Sequence, residues 1–163
     1  MYWHAYMGEW GEMKAIVRND PDSVRIPLTG SGDTALHVAA AAGNTTFVRE
    51  LTKFMETEEQ LIPNSEGMLS VHLAALSRHH RIVKHLCSQQ HLLDKMAYED
   101  IEKLFFMTIS NNMFGKCNYN LFTPFSYLII IFYYLLYYHV YQLNQLNFIV
   151  LCLCDFRVMH SAW

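Results

Sequence analysis

Apolar positions in the first two-thirds of the chain come in short bursts at helical spacing, separated by small polar residues. Leu36, Val38 and Ala39 open one burst, and Ala39 to Ala42 keep it thin. The spacing predicts a short helix with Thr34 as N-cap, ended by Gly43-Asn44, residues that tolerate left-handed backbone. Phe47, Val48 and Leu51 follow at i, i+1 and i+4, which predicts a second helix with a single apolar stripe. Such a pair leaves an apolar face bare and must stack on another like itself.

The chain supplies the others. At a constant offset of 35 residues, Gly32 meets Gly67, Leu36 meets Val71 and His37 meets His72. Ala39 and Ala40 then meet Ala74 and Ala75, Phe47-Val48 meets Ile82-Val83, and Leu51 meets Leu86. Backwards, Ala5, Gly8, Met13 and Ile16 fall under Ala40, Gly43, Val48 and Leu51; forwards, Phe106 to Ser110 fall under Val71 to Ala75. The repeat divides the chain into a partial unit at 2–30, full units at 31–65 and 66–100, and a partial unit at 101–114.

"TALHVA" (Thr34 to Ala39) and "LSVHLA" (Leu69 to Ala74) resemble the T-P-L-H-x-A signature of the ankyrin repeat. The expected fold is therefore an all-α ankyrin-repeat solenoid followed by an apolar C-terminal segment, predicted helical. The period exceeds the usual length of about 33 residues, which places extra residues in the outer loop "METEEQLIPNSEG". By the resemblance, Thr34, Leu36, His37, Ala39, Gly43, His72 and Ala74 are structural motif residues, and the imidazoles of His37 and His72 bond backbone and tie adjacent units together. More narrowly, "GEWGEMKAIVRNDPDSV", "GDTALHVAA" and "YEDIEKLFFMTISNNMF" are similar to the plant ankyrin-repeat membrane proteins. Those carry a C-terminal membrane domain named for a Pro-Gly-Gly motif, and no Pro-Gly-Gly occurs in this chain. The resemblance implies a role in plant stress and defence signalling, at the plasma membrane with the repeats in the cytosol.

The repeat breaks at Gly115, where an outer helix is due. Asn118 falls at an apolar position and Pro124 would end the helix. Residues 115–163 form a hydrophobic tail, and from Cys117 to Cys154 the chain holds no Asp, Glu, Lys or Arg. Two readings stand open. Leu121 to Tyr141, 21 residues without formal charge, is long enough to span a hydrocarbon core of ~30 Å. Alternatively, 28 of the last 47 residues are Phe, Ile, Tyr, Leu or Asn, the set encoded by AT-rich DNA, and Gly115-Lys116 can be written with an intron start; the tail is then translated non-coding sequence and the chain a truncated or mis-spliced fragment. Without a tail that inserts, the protein is expected in the cytoplasm.

Charge narrows the function. The net charge of -3 argues against a partner bound by phosphate neutralisation, so nucleic acid is not expected. Four unevenly placed cysteines make no disulfide framework. His79, His80, His85, Cys87 and His91 fit no zinc spacing and read as a solvated basic face. Glu56, Glu58 and Glu59 read as a solvated charge run in a loop. Nucleophile, phosphate-loop and metalloprotease motifs are missing from the chain, and neither an enzymatic activity nor a cofactor or metal is expected.

What remains is binding of another, unidentified protein. Stacked units present their turn tips and the exposed side of the first helices as one concave surface. The candidates are Asp33, Ala41 and Ala42 in one unit and Met68, Leu76, Ser77 and Arg78 in the next. A membrane protein whose tail serves transport is the other class of reading, and it needs polar residues along the span.

Overall fold

The computed structural model describes residues 1–111 and 113; the tail, with the expected span at 121–141, lies outside the described residues. The described chain is all helical, with no strand among its residues. Three helix–turn–helix pairs set the frame: α1 (Tyr2–Met7) with α2 (Trp10–Asn19), α3 (Ala35–Ala42) with α4 (Thr45–Leu51), and, after the single-turn α5 (Thr57–Gln60), α6 (Ser70–Leu76) with α7 (His80–Cys87). Helix α8 (Gln90–Lys95) and the longer α9 (Tyr98–Ser110) follow, and a 3-10 turn at Pro21–Arg25 closes the first pair.

The first helices of the pairs form an inner row, α1 against α3, α3 against α6 and α6 against α9; the second helices form an outer row, α2 against α4 and α4 against α7. Alanine makes the inner row possible. Ala5, Ala39, Ala40, Ala74 and Ala75 are wholly buried, and side chains this small let neighbouring backbones approach closely. Larger residues fill the space between rows: Met13 and Val17 from α2, Phe47, Val48 and Leu51 from α4, Ile82, Val83 and Leu86 from α7. Each such side chain contributes roughly 1.5–3 kcal/mol of transfer free energy. Trp10 packs edge-on against Phe47 at 5.6 Å between ring centres, tying the first outer helix to the second.

Polar bonds then set the register between repeats. The Nδ1 atom of His72 accepts from the Leu69 amide at 3.0 Å, and its Nε2–H donates to the Asp100 carbonyl at 2.9 Å. His37 does the same one repeat earlier: Nδ1 accepts from the Thr34 amide at 3.3 Å and from the Thr34 hydroxyl at 2.9 Å, and Nε2–H donates to the Met68 carbonyl at 3.0 Å. A carbonyl only accepts and an amide only donates, so these partners define a neutral ring with its proton on Nε2. Thr34 stands at the N-cap of α3, and its hydroxyl donates to the imidazole.

Burial pushes the pKa of both histidines down, against the opposing pull of the carbonyl bonds and of Asp33 beside His37 and Asp100 beside His72. A histidine whose folded pKa is depressed takes up protons first in the unfolded chain, so stability rises with pH. The contribution is complete above the ordinary value of 6.5 and is lost as pH falls below it. The midpoint of urea unfolding should accordingly drop between pH 7.5 and pH 5, by a smaller margin in His72→Gln. That variant should also lose about 1–3 kcal/mol at neutral pH, because it strands buried backbone groups. A midpoint flat across this range would contradict the neutral-ring assignment.

Candidate functional site

Exposed apolar side chains gather along the inner helices. On α1, Trp3 is 65% exposed, Met7 62% and Tyr6 48%, and on α6 Leu76 is 56% exposed. The rings of Tyr2, Trp3 and Tyr6 stand within 6.2 Å of one another. Tyr6, Ala41 and Leu76 occupy one register position on successive helices, and Met7, Ala42 and Ser77 the next. Half-exposed Ala41 and Ala42 thus make a low floor between a bulky aromatic end and Leu76.

The C-terminal ends of these helices are laced together. Asn44 donates to the carbonyls of Ala5 and Tyr6, each at 2.8 Å, and His79, one repeat on, donates from Nε2 to the Ala41 carbonyl at 3.1 Å. His79 comes so close that a Cβ on Gly43 would lie 2.6 Å from its ring, and Gly43 has φ +83°. No other residue fits there without displacing the ring. Gly8 holds the same place in the first repeat, with φ +77°, and Arg78 holds it in the third with φ 63°.

The candidate residues divide by surroundings. Leu76, Ser77 and Arg78 are exposed. Asp33 is half-buried in the turn before α3, where Oδ2 accepts from the hydroxyls of Thr29 at 2.8 Å and Ser31 at 2.6 Å. Its Oδ1 accepts from the Asn64 amide group at 2.8 Å. Burial raises the carboxyl's pKa, but the bonds from Ser31, Asn64 and Thr29 outweigh it and leave Asp33 below the ordinary carboxylate value. Asn64 is itself buried, and its Oδ1 accepts from the amides of Glu66 and Met68. Half-buried Met68 is committed through its backbone, accepting from His37 and donating to Asn64. Asp33 and Met68 thus hold one turn to the next.

Three surface readings need correcting. Glu59 is not part of a solvated run: it is buried, caps the Glu56 amide at 2.7 Å and pairs with Arg25 of the preceding repeat at 2.9 Å. The stretch around it is helix α5 rather than loop, and Glu58 pairs with Lys95 of the following one. His79 is not a solvated residue of the turn but the lacing residue described above. His85 is half-buried and bonds Thr52 across the outer row at 3.2 Å; burial, then the nearby Arg49 and Lys53, push its pKa down. Among the described residues no three His, Cys, Asp or Glu side chains converge as metal ligands would, and no helix is long and apolar enough to cross a membrane.

Paired helices stacked in register, tied by motif histidines, define a helical-repeat solenoid. The family model described as ankyrin repeats (3 copies) matches residues 7–97, and the chain belongs to that family. Ankyrin repeats are protein-binding, non-enzymatic modules. No curated protein matches the chain. Among solved structures, a chain from the crystal structure of the yeast ribosomal protein Rps3 in complex with its chaperone Yar1 is similar, with a TM-score of 0.52 and 21% identity over 71% of this chain and 87% of that one. At this identity the likeness is one of fold.

The Asp33–Asn64 bond can be separated from any binding role. In a double-mutant cycle on the full chain, Asp33→Ala and Asn64→Ala should each destabilise and show a coupling of about 0.5–3 kcal/mol. Additive losses would mean that the two side chains do not support each other.

Proposed function

We propose that the protein is a non-catalytic adaptor that binds another protein on its inner-helix face. The observation that carries this is the exposed apolar row from Trp3, Tyr6 and Met7 over Ala41 and Ala42 to Leu76. These side chains project from helices already tied to their neighbours, α1 through Asn44, α3 through His37 and α6 through His72, so binding would cost little ordering of the backbone. Aromatic anchors beside a shallow floor are the make-up of energetically dominant contacts. The fold shared with a chain of a ribosomal protein–chaperone complex fits a protein partner. In affinity capture from cell extract, proteins retained by the full chain should be lost with Leu76→Asp at an unchanged melting temperature. Retention of the same proteins by a folded Leu76→Asp variant would count against this face.

By the resemblance to the plant membrane proteins, the adaptor serves stress or defence signalling, tethered at the plasma membrane through residues 121–141 with its repeats in the cytosol. The break of the repeat at Gly115 favours a second reading, in which the tail is translated non-coding sequence. RNA sequencing across the codons for Phe114 to Cys117 separates them. Uniform coverage supports the tether, and a spliced junction there removes it.

A further inference from the structure

The charges of the third repeat are segregated along the chain, its acidic residues falling at the two ends and its middle carrying only positive ones. From Met68 to Leu93 the chain holds Arg78, Arg81, Lys84 and five histidines, without one Asp or Glu, although the protein as a whole has a net charge of -3. All three cations are exposed, and none forms an ion pair with a described residue. Arg81 stands in the first turn of α7, which holds no acidic residue, so its charge opposes the helix dipole. The charge of Arg81 is thus unfavourable for its own helix, and among the described residues no ion pair offsets it.

Arg78 adds a second, independent observation. Its backbone is left-handed, φ 63°, at the place where the two preceding repeats have glycine. Glycine adopts that conformation freely and an arginine does so under strain, of the kind that persists where a side chain is needed at one spot. The exposed guanidinium bonds Asn111 through Nε–H at 3.3 Å, which steadies it and uses one of its five N–H donors. Two residues back is Leu76, the exposed end of the apolar row.

We infer that this end of the face receives an acidic segment of the partner protein, with an apolar side chain against Leu76 and a carboxylate on Arg78 supported by Arg81. The planar fork of arginine suits a carboxylate, and the adjoining leucine suits a peptide better than a bare phosphate. The inference rests on the inner-helix face being the binding face.

A random peptide library displayed against the immobilised full chain tests it, the recovered peptides being titrated by fluorescence anisotropy. Recovered sequences should pair Asp or Glu with Leu or Phe, and Arg78→Gly should weaken them by roughly tenfold or more. The same substitution should leave the melting temperature unchanged or higher, because glycine relieves the left-handed strain; a residue of merely structural value would lose both together. Arg81→Glu should weaken binding as well. Basic or uncharged binders, or tighter Arg78-dependent binding of a phosphoserine peptide or of phosphatidylserine vesicles, would overturn the inference. Binders that need Leu76 but ignore Arg78→Gly would overturn it and leave the face standing. Binders indifferent to both Leu76→Asp and Arg78→Gly, or no binders at all, would remove both.

Discussion

A buried imidazole holding one proton on a defined nitrogen is the constraint on which the described structure depends. In His37 and His72 the ring accepts from the backbone at the start of its own inner helix and donates to a carbonyl beside the start of the next inner helix. One side chain thereby starts a helix and sets the register of its neighbour. Burial makes the bond strong and its loss costly, since the stranded groups are out of reach of water. The alanine row is the other half of the same constraint. Only because α6 lies close against α3 on one side and α9 on the other can a side chain as short as histidine span the gap.

Much of this was legible in the residues. Gly32 to Leu51 laid over Gly67 to Leu86 shows two helices per unit, their inner faces and the residues that bury, because periodicity and turn chemistry are local signals. The outer loop was not legible. Glu59 reads as solvated until Arg25, 34 residues away, is known to lie beside it. Helix α5 depends on that pairing and on the reach of Glu59 to the Glu56 amide, and four residues carry no periodicity of their own. His79 was missed for a different reason. A polar residue recurs at the offset of 35 there, Asn44 under His79, as clearly as His37 under His72. The recurrence lies inside a basic cluster, and a run of His, Arg and Lys has the composition of a solvated face.

The face proposed to bind and the core that holds use different ends of the same helices. On α3 and α6 the buried side is occupied by alanine and histidine, and those residues are already committed to neighbours. Asp33 and Met68 look like surface candidates by position, but their polar groups are consumed between turns. What is left for a partner is the C-terminal portion of each inner helix, where Leu76, Ser77 and Arg78 are exposed and only Arg78 bonds across to the next unit, at Asn111. On the proposed reading, binding is confined to positions whose change does not unpick the stack.

The lacing of Asn44 to α1 and of His79 to α3 joins each repeat only to the one before it. Nothing among these bonds skips a repeat. Links of this kind act in series: a pull applied to the two ends is felt in full at every boundary and is shared by none. Under tension the described array is as strong as its weakest boundary, and it lengthens by whole units rather than by uniform stretching.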